Sequence, residues 1–234
     1  MPSPSVDIVD FVAGAQSARG LTVVIDVFRA FSVAVSAFSR GAASIIPVAA
    51  IEDARALKQQ LPAALLIGER HAKPLPGFDC GNSPTELLKF DVAGRTLIHT
   101  THSGTQGLTH ATHADEVVTG ALVNAGAIVR YIQHRQPARV TIVRMGQEAR
   151  ERCAEDDLCA DLLAARLRGE DPPVHDIPDR LRHAVSAGKF FDPACDWAPE
   201  GDFHFCTRAD AFDFVLQLDR SSAVPALRRI ELAR

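Results

Sequence analysis

Ala63-Ala64-Leu65-Leu66-Ile67 is followed by Gly68-Glu69-Arg70-His71-Ala72-Lys73-Pro74-Leu75-Pro76-Gly77-Phe78-Asp79-Cys80-Gly81-Asn82-Ser83-Pro84, and then by Thr85-Glu86-Leu87-Leu88. The first run is short and apolar, as a buried strand is; the last reads as a helix start. The loop between them holds three glycines, three prolines and a dense set of Glu, Arg, His, Lys, Asp, Asn and Ser side chains. Loops this long without secondary structure of their own are uncommon in compact domains and are often functional. The plain alternative is a solvated surface loop.

The same strand, polar loop, helix pattern recurs outward in both directions. Residues 21–25 form a β-branched strand, then Asp26-Val27-Phe28-Arg29-Ala30-Phe31, then a helix capped by Ser32 and ended by Gly41. Strands follow at 44–48, 95–99, 116–119 and 139–143, and helices at 51–60, 121–134 and 155–168. This alternation predicts an α/β fold with a mostly parallel sheet and helices on both faces. Ligands of such sheets bind beyond the C-terminal ends of the strands. The polar loops all leave strands at those ends, so they are expected to meet at one rim.

After Gly169 the texture changes. Pro172, Pro173 and Pro178 mark a linker, with a helix at 181–187, a strand at 203–206, a helix at 210–216 and a last strand at 229–232. Residues 1–234 are read as a single domain, with 170–234 an extension packing on the same core.

The bulk numbers exclude several classes. A net charge of −4 offers no basic field for nucleic acid. The longest apolar runs are too short to span a membrane, and the N-terminus lacks a signal-peptide pattern. Five cysteines without Cys-x-x-Cys spacing suit reduced thiols in a cytoplasmic protein. His99, His102, His110 and His113 fall at no zinc-ligand spacing, so zinc is not expected.

Three groups carry chemistry. Asp26, where a strand opens onto the crevice, could hold Mg²⁺, attack phosphorus or act as a base. It resembles the nucleophile of haloacid-dehalogenase-type phosphatases, but their second Asp would fall at Phe28. Arg29 offers a bidentate fork for phosphate or sulfonate. Thr100-Thr101-His102-Ser103-Gly104-Thr105 places hydroxyls and backbone N–H groups at a helix start, an anion site or a plain capped turn. Glu155, Asp156 and Asp157 open a helix; one suffices to face the dipole, and three repel unless a cation sits beside them. Together these describe a site for a phosphorylated, strongly anionic small molecule.

Asp26-Val27-Phe28-Arg29-Ala30, Gly68-Glu69-Arg70, Gly77-Phe78-Asp79-Cys80-Gly81-Asn82-Ser83-Pro84, the 100–105 turn and Glu155-Asp156-Asp157 resemble, in order, the motifs of the 2-phosphosulfolactate phosphatase family. The resemblance implies a Mg²⁺-dependent, three-layer α/β/α phosphatase, a homodimer, acting on a route to coenzyme M. With the reading of the residues, it implies Mg²⁺ between Asp26 and the Glu155/Asp156 pair, aided by Glu69 or Asp79. Arg29 and Arg70 would neutralise phosphate. Asn82, Ser83, Thr101, Ser103, Gly104 and Thr105 would meet oxyanions, joined by Asn124, with Asp79 near the substrate. The chain departs from the family pattern where His102-Ser103 replaces the usual Asn, and at His71, where Gly is common. Attack by water and attack by Asp26 both stay open, as do two rivals: a non-catalytic phosphate or sulfonate binder, and a lyase or phosphotransferase on a related phospho-hydroxy acid.

Overall fold

The computed structural model describes residues 4–232. In chain order the elements are β1 (Ser5–Asp10), α1 (Phe11–Ser17), β2 (Leu21–Ile25), α2 (Ala30–Ser39), β3 (Ser44–Pro47), α3 (Ile51–Gln60), β4 (Leu65–Arg70) and β5 (Lys73–Pro74). Then come α4 (Pro84–Leu87), β6 (Thr96–Thr100), α5 (Gly104–His110), β7 (Glu116–Gly120), α6 (Ala125–Arg135), β8 (Arg139–Arg144) and α7 (Ala154–Leu167). The last are α8 (Ile177–Arg182), α9 (Glu200–Cys206), β9 (Phe214–Asp219) and β10 (Ala226–Glu231).

The strands form one sheet in the order β1-β8-β2-β7-β9-β10-β3-β6-β4-β5. Two parallel groups, β1-β8-β2-β7 and β3-β6-β4, flank the antiparallel hairpin of β9 and β10. Strands β2, β3 and β7 are buried along almost their whole length because both faces are covered. In β2, Val24 packs into the cluster that holds α2, while Val23 and Ile25 pack against Ile128 of α6 and Leu163 of α7. In β4, Ile67 faces the α2 side and Leu66 the α3 side. The result is three layers, α/β/α. Helix α2 is enclosed: its residues Ala30 to Phe38 are all buried.

The hairpin joins the two groups through three antiparallel pairings, so the groups run in opposite senses. In a flat sheet their C-terminal ends would lie at opposite rims. Six inter-strand steps separate β2 from β4. At roughly 20–25° of twist per step, the strands turn by about 120–150° over that distance. That turn brings the two sets of C-terminal ends to the same rim. Val24 and Val143 from one group pack with Ile45, Ile67 and Leu97 from the other in the cluster that holds α2, which wraps the sheet round that helix, so the ends face one cleft.

Several expectations need correction. Residues 203–206 belong to helix α9, not a strand, and 210–216 is a turn leading into β9, not a helix. A short buried apolar run has no periodicity to separate the two. Strand β1 is unannounced in the sequence: it is a half-exposed edge strand held by its register on β8. Ser32 does not cap α2; the helix begins at Ala30, and the Ser32 hydroxyl donates to the Val27 carbonyl. Among the described residues, no helix is long and apolar enough to cross a membrane.

Candidate active site

A cleft of about 280 Å³ opens beyond the ends of β2, β4, β6 and β8. Of the site residues expected from the sequence, it is lined by Asp26, Arg29, Glu69, Asn82, Ser103, Glu155 and Asp156, with His71 and His102 at its rim.

Asp26 follows β2 directly and turns its Oδ1 onto the Ala30 N–H at 3.1 Å, at the start of α2. The first residue of α5, Gly104, closes over it: a Cβ there would lie 2.8 Å from Asp26 Oδ2 and 2.8 Å from the Ala30 Cβ. Only glycine lets the two helix starts approach so closely. Asp156, in the first turn of α7, accepts from the Val27 N–H at 2.9 Å with one oxygen and from the Gly146 N–H at 2.8 Å with the other. Gly146 has φ +63, and a Cβ would meet the Glu151 carbonyl oxygen at 2.1 Å. Glu155 accepts from the Ser186 hydroxyl at 2.5 Å. Glu69 bridges two turns, accepting from the His102 N–H and the Ala72 N–H, each at 2.7 Å.

These four carboxylates are buried together. Burial raises the Asp26 carboxyl to about 7 against the pull of the Ala30 N–H, and the Glu69 charge adds to the rise. Burial also holds Asp156 well above the usual carboxylate range, with Asp26 and Glu155 pushing the same way. Crowded hard oxygens that resist ionising together are a donor set suited to a divalent cation such as Mg²⁺. Each bonded carboxylate oxygen keeps a second lone pair beyond the hydrogen bond it accepts.

Arg29 lines the cleft but is already engaged. Its NH1 donates to Asp202 at 2.7 Å and to the Trp197 carbonyl at 2.9 Å, and its NH2 donates to the Ala72 carbonyl at 3.2 Å. Asp202 also accepts from the Ser83 hydroxyl and the Thr85 N–H, so the ion pair ties α9 to the starts of α2 and α4. Lys189 lines the cleft and takes part in no ion pair among the described residues. Burial lowers its pKa, as does the neighbouring Arg29 charge.

Asn82 Oδ1 accepts from His99 Nε2 at 3.1 Å. Burial, then Arg70, depresses His99 to about 3, so the ring is neutral and this bond fixes the amide. Asn82 Nδ2 is left to donate into the cleft. Ser103 Oγ accepts from the Ala149 N–H at 2.9 Å, leaving its own hydrogen free.

Other candidates do not reach the cleft. Thr101 and Thr105 cap each other: the Thr101 N–H donates to Thr105 Oγ1 at 2.9 Å and the Thr105 N–H to Thr101 Oγ1 at 3.1 Å. Ser83 caps α4. Arg70 donates to the carbonyls of Glu69 and Ala49 and to Thr100 Oγ1. Asp79 is exposed, accepts from the Leu66 N–H at 2.7 Å and pairs with Lys58. Asn124 donates to the Phe214 carbonyl, under the sheet hairpin. Reading by sequence also missed Lys189, Ser186, Trp197 and Asp202. They follow no strand end, and residues 185–202 carry no apolar period to mark them.

Residues 7–221 match the model of the 2-phosphosulpholactate phosphatase family. The probable 2-phosphosulfolactate phosphatase of Thermotoga petrophila is 38% identical over 206 residues, covering 82% of this chain and 86% of its own length. That of Caldanaerobacter subterraneus subsp. tengcongensis is 41% identical over 210 residues, covering 84% and 86%. That of Clostridium perfringens is 28% identical over 229 residues, covering 91% and 90%. The match runs from β1 through β9 and so takes in every wall of the cleft, and the chain belongs to the 2-phosphosulfolactate phosphatase family.

Proposed function

We propose that this chain is a Mg²⁺-dependent phosphoric monoester hydrolase that releases phosphate from 2-phosphosulfolactate or a similar phosphorylated 2-hydroxy acid. The observation that carries the reading is the meeting of Asp26, Glu69, Glu155 and Asp156 in one cleft that also holds Lys189. Asp26, Glu155 and Asp156, with Glu69 beside them, would hold Mg²⁺, which when bound stabilises charge on a phosphoryl oxygen.

The chain's own residues do the positioning on which phosphoryl transfer mostly depends. Lys189 supplies a cation for the acid group of the substrate, since the Arg29 charge is offset by Asp202 at 2.7 Å. Arg29 keeps Nε–H and one NH2 hydrogen for an anion. Asn82 Nδ2 and the Ser103 hydroxyl donate from the β5–α4 and β6–α5 connections. The backbone bonds to both Asp156 oxygens hold that carboxylate in one orientation before substrate arrives. The reading includes the cytoplasm, a homodimer and a place on a route to coenzyme M or a related sulfonate. Free thiols at all five cysteines support the first, and the family motifs support the others.

The test is release of free phosphate from a panel of phosphorylated 2-hydroxy acids, with Mg²⁺ or with EDTA, for the wild type and Asp26→Ala. Turnover should need both the cation and Asp26. Turnover indifferent to both would end the reading. Binding without release would point to a non-catalytic relative, and phosphate passed to an acceptor other than water to a transferase.

A further inference from the structure

His71, His102 and Glu148 come from three separate connections, β4–β5, β6–α5 and β8–α7, and meet at the rim of the cleft. Each offers one ligand atom, and these atoms all lie within 4.8 Å of one another. We propose that the three side chains form a site for a divalent transition ion of the zinc class, separate from the carboxylate centre.

The side chains are poised for it. His102 Nδ1 is buried and has no hydrogen-bond partner. His71 Nδ1 lies 2.6 Å from Glu148 Oε1, and the two imidazoles stand edge to face with centroids 4.8 Å apart. The surrounding backbone is fixed. The His102 N–H is held by Glu69, and the Ala149 N–H by Ser103 Oγ. His71, Ala72, Glu148 and Ala149 all sit in the left-handed region, at φ 52, 62, 52 and 53. Strained residues of this kind gather at ligand clamps.

Two imidazoles and a carboxylate suit Zn²⁺, Co²⁺ or Ni²⁺, whereas Mg²⁺ prefers an all-oxygen set. Metal–nitrogen bonds of about 2.0–2.1 Å require ligand atoms roughly 3.3 Å apart. The His71 side chain is 67% exposed, so it is free to make that adjustment. Three protein ligands leave a fourth position open toward the cleft, for water or for an oxygen of a bound acid. The ion would bind whether or not the cleft hydrolyses phosphate.

The experiment is calorimetric titration of Zn²⁺ into the full chain under saturating Mg²⁺, for the wild type, His71→Ala, His102→Ala, Glu148→Gln and Asp156→Asn. Co²⁺ provides a second reading through its visible absorption. The wild type should take one equivalent. Each of the first three variants should lose affinity by more than the roughly 10–100-fold that removal of an outer-shell partner costs. Asp156→Asn should retain the site, and the Co²⁺ band should be lost in His102→Ala. If His102→Ala does not fold, the exposed His71→Ala carries the test. No Zn²⁺ uptake by the wild type, or equal uptake by all three variants, would overturn the proposal: His71 and Glu148 would then be a surface ion pair. Loss of uptake in Asp156→Asn with retention in His71→Ala would overturn it too, by assigning Zn²⁺ to the carboxylates.

Discussion

At the residue scale, Asp26 and Asp156 dominate. Removing the Asp156 charge in Asp156→Asn also sets an amide donor against a backbone N–H, because both native oxygens accept from backbone. Loss of several kcal/mol of transition-state stabilisation is expected, so phosphate release should fall by about 10²–10³-fold in steady-state assays. Asp26 gives a pH prediction for the EDTA-treated protein. Its carboxyl titrates near 7 in the fold against 3.8 for an ordinary aspartate. A carboxyl raised by folding contributes stability that is fully present below the unfolded value and lost as pH climbs through the folded one. Asp156, raised well above 3.8, acts in the same direction. The urea midpoint of the metal-free protein should therefore drop as pH rises from about 4 to about 7, and Asp26→Asn should flatten that slope. A midpoint rising over this range would contradict the burial argument.

At the element scale, the cleft depends on how closely helix starts approach. Gly104→Ala introduces a methyl 2.8 Å from Asp26 Oδ2 and 2.8 Å from the Ala30 Cβ, so α5 and α2 must part. Displacing a catalytic group by about 1 Å costs on the order of 10² in rate. The variant should therefore fold with a normal circular dichroism spectrum and lose about 10²-fold in kcat. The Arg29–Asp202 pair joins α9 to the start of α2, with side chains 2% and 0% exposed. Asp202→Ala leaves Arg29 buried without its counter-charge, which costs about 3–5 kcal/mol, to be read from urea denaturation. Elements also show what propensity reveals. Buried β2 and β8, ended by polar loops, were legible as strands. The run 210–216 was not, because Phe214, Val215 and Leu216 are all buried and the hydrophobic pattern of a central strand has no period.

At the scale of the molecule, the C-terminal segment is central. β9 and β10 stand between β7 and β3, in the middle of the sheet. A chain ended at Gly169 would leave both neighbouring strands with open edges and uncover Leu216, Leu218 and Leu227 contacts in the core that holds α2. Such a chain should show no cooperative thermal transition by calorimetry. The same segment closes the cleft, through Ser186, Lys189 and Trp197. Nothing in its sequence signals either role, since both depend on partners far away along the chain.

What the sequence determined by itself was the set of local rules: apolar runs that must be buried, polar turns at their C-terminal ends, and acids at the start of α7 that need a positive neighbour. These follow from side-chain hydrophobicity and from the unpaired groups of helix ends, which are properties of a few consecutive residues. The tertiary structure alone decided which turns share the cleft. The wrapping of the sheet round α2 brought Glu69 and Ser103 to Asp26 and Asp156, while mutual capping drew Thr101 and Thr105 away and the Leu66 N–H and Lys58 drew Asp79 away. It also decided that Arg29 is paired with Asp202 and that Lys189 faces the acids, because ion pairing depends on distance in space.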